Sequence, residues 1–209
     1  MLQNRVDPSG NIIRTKARGA WMGNRGLLHN ERQEILRPFR LKAWITCVLE
    51  FKDRKRSVMA PGLYTELFFL DEATSFSAGH RPCFECRRAD ALRFRSFWIK
   101  GNPEYGFEEK TPIAQIDDIL HRERLAADGS KPVFPALAAD CPNGSFVLYR
   151  DRPHIVVDGC LYPWSPEGYG DGMVPAAHKP LLVLTPRSIV NAFRAGYMPQ
   201  ITYLQQSLK

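Results

Sequence analysis

The chain has 209 residues, 44% of them hydrophobic and 24% charged, close to ordinary globular usage. That is enough for one large domain or two small ones with an apolar core. No apolar run approaches the roughly 18 residues of a membrane span, and the polar start MLQNRVDPSG lacks the apolar stretch of a secretory signal, so a cytoplasmic protein with no membrane partner is expected. Five cysteines, an odd number, argue against a closed disulfide framework. The net charge of +7 is uneven: residues 1–100 hold 19 Lys and Arg against 10 Asp and Glu, and residues 101–209 hold 10 against 12. A basic first half suits a polyanion, nucleic acid above all, since each neutralised phosphate releases counterions.

Residues 1–40 are rich in Gly, Asn and Arg, and RGAWMGNRG reads as loop anchored by Trp21 and Met22. AWITCVLEFK (43–52) is β-branched and aromatic and predicts a strand, followed by the charged turn DRKRS. A second strand is expected around Tyr64–Leu70, giving an antiparallel unit. DEATSFSAG predicts a short helix closed by Gly79. After the turn HRPCFEC, the pattern from about 84 to 100 is helical, with Leu92, Phe94, Phe97 and Trp98 apolar and Arg87, Arg88 and Arg95 sharing another face. TPIAQIDDILHRERLA predicts a further helix, with Thr111 as N-cap and Pro112 in its first turn. Beyond a Pro-rich joint at 131–143, GSFVLYR, HIVVDG, CLYPW and LLVLT predict strands, SPEGYGDGMVPAAHKP a long loop, and PRSIVNAFRAGY a last helix capped by Thr185. The expected fold class is α+β: antiparallel strands with a C-x-x-C turn leading into a helix, then a β-rich C-terminal half. The expected division is a basic metal-binding region, 1–130, and a β-rich region, 131–209, which could also complete one shared core.

The chemistry-bearing stretch is GHRPCFECRRAD (79–90). Two thiolates two residues apart can bite one metal ion, and zinc then needs two more ligands for a closed tetrahedral site. Cys47 is the natural third ligand and His80 the fourth candidate; His29 is the remaining histidine of this half. Cys83 and Cys86 could otherwise be a buried pair of small apolar residues, a redox dithiol or a reactive thiolate. The arginines after the pair, Arg87, Arg88 and Arg95, and the cluster Arg54, Lys55 and Arg56 are candidate nucleic-acid contacts, because planar guanidinium forks match phosphate. Trp44, Phe51, Phe94 and Trp98 could stack on bases, though their spacing suits a core. His121 and Glu123 could form a general-base pair, and the start of the last helix, with Arg187 nearby, could hold an anion.

The segment FFLDEATSFSAGHRPCFECRRAD resembles the second half of the zinc-binding module of Ada-type methylphosphotriester-DNA repair proteins, also found appended to nucleases. The resemblance rests on Phe68, Phe69, Glu72, Ala73, Ala78, Gly79, Arg81, Pro82, Cys83, Cys86 and Arg87, and covers roughly 25 residues of the chain. His80 stands where that family has Phe or Tyr, and the family's upstream Cys-x-x-x-Cys or His-x-x-x-Cys is reduced to Cys47. The resemblance implies a structural Zn2+ beside DNA, and, for the thiolates, a methyl-accepting role. The functional expectation is a zinc-binding protein whose basic half contacts DNA or RNA. The alternatives are a nucleic-acid-processing enzyme, alkyl acceptor or nuclease, and a protein-interaction module on an Ada-like scaffold.

Overall fold

The computed structural model describes residues 1–52 and 57–201. Among the described residues it is α+β, with two six-stranded sheets and four α-helices. The first sheet is built from β1 (Gln3–Val6), β2 (Ile12–Arg14), β3 (Trp21–Asn24), β4 (Ile45–Cys47), β5 (Leu67–Phe69) and β6 (Arg81–Pro82), in the order β2-β1-β5-β3-β4-β6. It is mixed rather than purely antiparallel, because β1 runs parallel to β5 and β4 parallel to β6. The second sheet contains β7 (Phe134–Ala136), β8 (Phe146–Tyr149), β9 (Arg152–Val157), β10 (Cys160–Ser165), β11 (Gly168–Tyr169) and β12 (Leu181–Val183), all antiparallel in the order β11-β10-β9-β8-β12-β7.

The helices are α1 (Glu72–Ser77), α2 (Arg88–Gly101), α3 (Ile113–Arg124) and α4 (Arg187–Arg194). Their shared core holds Phe76, Phe94, Trp98, Ile116, Leu120, Ile189 and Phe193. α1 is buried at all six positions. Its Phe76 joins the helical core, while its Ala73 packs with Phe146 and Ile155 of the second sheet. A one-and-a-half-turn helix has little stability of its own, so packing on every side must hold it. α2 and α4 approach closely at Gly101, where a Cβ would collide with the Asn191 carbonyl. Phe94 and Trp98 are fully buried, so they are core rather than base-stacking surface.

Several expected boundaries move for identifiable reasons. RGAWMGNRG is not all loop: β3, from WMGN, lies between β4 and β5. Its glycine hid it, yet Gly23 is required, because a Cβ there would strike the Ile45 carbonyl on β4. Thr111 does not cap α3; the N-cap is Pro112, and the Thr111 hydroxyl accepts from the Glu108 N–H instead. Thr185 likewise accepts from the Phe146 N–H, tying the chain to β8, and Pro186 precedes α4. Gly79 does close the α1 turn, at φ +86°, where a side chain would be strained.

The N-cap of α1, Asp71, accepts hydrogen bonds from the Thr74 N–H (2.8 Å) and hydroxyl (2.7 Å) and from the Tyr169 hydroxyl (2.7 Å). Burial pushes its pKa up from 3.8 to about 6, against the pull of the Tyr169 and Thr74 donors. Because the folded value lies above the unfolded one, the protonated carboxyl favours the fold. That contribution is complete below about pH 4 and lost as pH rises toward 6, a change of about 3 kcal/mol. Asp71→Asn keeps an N-cap oxygen and removes the titration. Denaturant unfolding of the variant should therefore show a flatter stability profile than the parent between pH 4 and 6.5.

Candidate metal centre

The register of two short strands makes the centre. β4 lies parallel to β6, with Ile45 beside Arg81 and Thr46 beside Pro82, and the Cys83 N–H donates to the Thr46 carbonyl (2.9 Å). Side chains alternate along a strand. Thr46 points to α1, where its hydroxyl donates to Ser75 Oγ (3.0 Å), so Ile45 and Cys47 face the other way. Directly after β6 the chain turns, with the Arg87 N–H donating to the Cys83 carbonyl (3.0 Å). This turn places Cys83 and Cys86 beside Cys47.

The ligand sulfurs of Cys47, Cys83 and Cys86 lie within 4.8 Å of one another, with Cys47 and Cys83 buried and Cys86 half-buried. No fourth His, Cys, Asp or Glu atom joins the group among the described residues. The donor set fits a soft metal ion. Thiolates bind zinc and other thiophilic cations, and they need partners for their negative charge. Here the Glu85 N–H donates to Cys83 Sγ (3.4 Å), and the Val48 N–H donates to Cys86 Sγ. A hydrogen bond donated by Cys47 lowers the pKa of the Cys83 thiol to about 5, while donating that bond and being buried push the pKa of Cys47 far up. Burial raises Cys86 as well. Three sulfurs this close oppose one another's ionisation, and a cation would let more of them ionise.

The cluster forms the floor of a cavity of about 200 Å³, whose walls include Asn24, Tyr64, Glu66, Phe68 and Glu85. Glu66 is buried and accepts from the Met59 N–H (2.7 Å). Sequence inspection passed over Glu66; its position, two residues before the paired Phe of β5, carries no motif.

His80 is placed apart from the sulfurs. Its Nε2 accepts from Arg25 Nε (2.9 Å), which leaves Nδ1 to donate to the Ile45 carbonyl (3.1 Å). Burial and the adjacent Arg25 hold its pKa well below the ordinary value, so the ring is neutral. It packs edge-on against Phe69 at 4.6 Å between centroids. His80 thus takes the packing part of an aromatic residue and adds two hydrogen bonds. His29 is also committed elsewhere, with Nδ1 2.6 Å from the Thr65 hydroxyl.

The arginines after the pair separate. Arg87 is buried: it ion-pairs with Glu72, bonds Asp90 (2.8 Å) and stacks on Trp21, 4.0 Å from the ring centroid. Arg95 is half-buried, 3.9 Å from the Glu109 carboxylate. Arg88 is exposed. Arg54, Lys55 and Arg56 lie outside the described residues. Glu123 caps α4, accepting from the Ser188 N–H and hydroxyl (2.6 Å for the hydroxyl), so its carboxylate occupies the helix end where an anion was expected. His121 packs edge-on against Phe39 instead of pairing with it.

Comparison of the chain with family models, curated proteins and solved structures returns no match.

The buried Arg87–Glu72 pair pins the start of α2 directly after Cys86. Glu72 also accepts from the Tyr197 hydroxyl (3.1 Å) and the Gln200 N–H (2.8 Å). Removing the cation leaves a buried carboxylate uncompensated, which costs about 3–5 kcal/mol. Arg87→Met should therefore lower unfolding free energy by that amount in denaturant titrations. The double variant Arg87→Met/Glu72→Gln should recover part of the loss.

Proposed function

We propose that the protein holds one Zn2+ on Cys47, Cys83 and Cys86 and that its basic N-terminal half contacts nucleic acid, DNA or RNA. The observation that carries the metal reading is the convergence of three sulfurs from two separate segments, with backbone N–H groups aimed at them. Zinc binding would cross-link β4 to the C-x-x-C turn and stiffen the entry to α2. The Ada-like residues Gly79, Pro82, Cys83, Cys86 and Arg87 support the same assignment.

Support for a nucleic-acid partner comes from charge and its placement. A groove of about 600 Å³ is lined by Arg5, Lys16 and Arg18, and it shares Leu49, Val58 and Phe68 with the cavity above the sulfurs. Lys16 and Arg18 are exposed. Arg5 is held over the Phe68 ring at 4.8 Å and by the Ala17 carbonyl (2.6 Å). Burial first, and then the neighbouring Arg18, lower its pKa. A phosphate backbone laid along this groove would pass beside the metal centre.

A nucleic-acid-processing enzyme is the second reading, favoured by one observation. Closed structural zinc sites carry four protein ligands, whereas catalytic ones carry three and leave a position for water or substrate. The three-sulfur set opens onto a cavity, and zinc there would supply Lewis acidity toward whatever enters it.

Protein purified without added metal should contain about one zinc per chain by elemental analysis, in keeping with the tight binding typical of thiolate sites. Cys83→Ser and Cys86→Ser should each remove most of it, while His80→Phe should leave the stoichiometry unchanged. Zinc-free but folded parent protein would refute the metal reading. Retention on immobilised double-stranded DNA should fall with salt, and Lys16→Ala/Arg18→Ala should reduce the slope of log affinity against log salt by about 2, one phosphate contact per residue. An unchanged slope would remove the groove from the nucleic-acid interface. Addition of an exogenous thiol to the cobalt-substituted protein should shift its visible spectrum if the metal keeps an open position.

A further inference from the structure

A second cavity, of about 560 Å³, lies between the turn at 8–11, the segment 35–38 and the loop 125–131. Four cations line it, Arg25, Arg37, Arg124 and Lys131, and no carboxylate does. We propose that this cavity binds the phosphate group of a small phosphomonoester, with Arg25, Arg124 and Lys131 as the anion-holding residues.

The cations are built into the wall rather than scattered over a surface. Arg25 and Arg124 are buried, at 1% and 3% exposure. Both guanidinium groups stack on the Trp44 ring, at 3.7 and 4.1 Å from its centroid, which fixes their planes. Arg25 Nη2 is buried and has no hydrogen-bond partner among the described residues. It sits at the cavity wall, 3.9 Å from where a Cβ would project from Gly10, another lining residue. Arg124 Nε is buried without a partner as well. An orphan donor on a buried charged group is costly, and an acceptor of opposite charge removes that cost.

The hydrogen bonds these cations do make go to uncharged acceptors. Arg25 donates to His80 Nε2 (2.9 Å), the Gly10 carbonyl (3.0 Å) and the Pro38 carbonyl (3.4 Å). Arg124 donates to the carbonyls of Gly79 (2.7 Å) and Lys42, and Lys131 to that of Ser77 (2.6 Å). Carbonyls satisfy the donors' geometry but leave their charge in place. Among the described residues no carboxylate ion-pairs with Arg25, Arg124 or Lys131. Asp7, an acid that acts on both Arg25 and Lys131, is itself engaged by the Asn11 N–H and side-chain amide, each at 2.9 Å. Burial, with mutual repulsion added, pulls Lys131 down to about 7 and Arg25 to about 9; burial, against the pull of the Asp117 carboxylate and with Arg81 adding to it, brings Arg124 to about 9.

The ligand class follows from the donors. Two guanidinium forks and an ammonium match a group with several strongly accepting oxygens and close to two negative charges, which is phosphate rather than a monocarboxylate. Ligand pockets span about 300–1,000 Å³, so this space holds more than an isolated phosphate. Asn11, Gln3, Ser9 and Ser130 offer neutral donors and acceptors to the remainder of the ligand. The site is separate from the three cysteines, and the reading stands independently of the metal.

The test uses full-length protein at low salt and pH 7, with inorganic phosphate as the probe, sodium chloride at matched ionic strength as control and succinate as a carboxylate comparator. Phosphate should raise the thermal midpoint above the chloride control and titrate calorimetrically to one site per chain. Lys131→Gln, a half-buried loop position, should weaken that binding by about tenfold or more, the loss expected for one charge-assisted hydrogen bond. The exposed Arg37→Gln provides a second variant that leaves the core alone, with weakening in the same direction. Cys83→Ser should bind phosphate like the parent provided it stays folded. No effect of phosphate beyond chloride on the folded parent would overturn the proposal. So would equal binding by the parent and both cation variants, or succinate binding at least as tightly as phosphate.

Discussion

The ion pair between Glu72 and Arg87 is the contact on which the molecule turns. Both side chains are almost wholly removed from water. Their charges are tolerated because each is surrounded by further polar partners: Tyr197 and Gln200 on the carboxylate, Asp90 on the guanidinium, and the Trp21 face beneath it. Those partners come from β3, α2 and the segment after α4, and Glu72 itself from α1. A buried pair contributes little net stability compared with an apolar substitute, but it penalises every arrangement in which one member lacks the other. Here it selects the arrangement in which the C-x-x-C turn, the start of α2 and the C-terminal end of the described chain meet at one side of α1.

That selection bears directly on the sulfurs. Cys83 and Cys86 lie immediately before Arg87, so anchoring Arg87 fixes the end of their turn. The other end is fixed by the β4–β6 register, where Thr46 receives the Cys83 N–H and binds Ser75 on the opposite side. A slip of one residue in β4 would point Cys47 at α1 and Thr46 at the cavity. The three-sulfur cluster is therefore a consequence of strand register held by polar contacts on α1, and a bound cation would reinforce a geometry the protein already favours.

Positive charge in residues 1–130 is sorted into different roles by burial. Arg87 and Arg81 are neutralised by Glu72 and Asp117, the latter through two bonds of 2.7 Å. Lys16 and Arg18 are exposed on a groove beside the sulfurs. Arg25 and Arg124 are buried on the Trp44 ring and hydrogen-bonded to neutral acceptors, with Asp7 and Asp117 acting on them without an ion pair among the described residues. A count of Lys and Arg along the chain treats these alike, although only the last two groups retain charge for an external anion.

Local chemistry made much of this legible from the sequence. The α+β class, α1 with its closing Gly79, the strands at GSFVLYR, HIVVDG and CLYPW, and the Cys83–Cys86 turn all follow from periodicity, turn residues and thiol spacing, which act over a few residues; Cys47 was a candidate partner whose place beside them needed the β4–β6 register. What the sequence by itself could not determine depends on neighbours far along the chain. WMGN became a central strand because Gly23 lets β4 come close. Thr111 and Thr185 gave up helix capping for other backbone partners. Arg87 was buried by a glutamate fifteen residues earlier. His80 was drawn from the sulfurs by Arg25, since a buried unpaired guanidinium costs more than an imidazole committed to it. The tertiary structure decided these points because a side chain's role depends on which polar groups are left needing a partner once water has been excluded, and that is known only when the whole chain has packed.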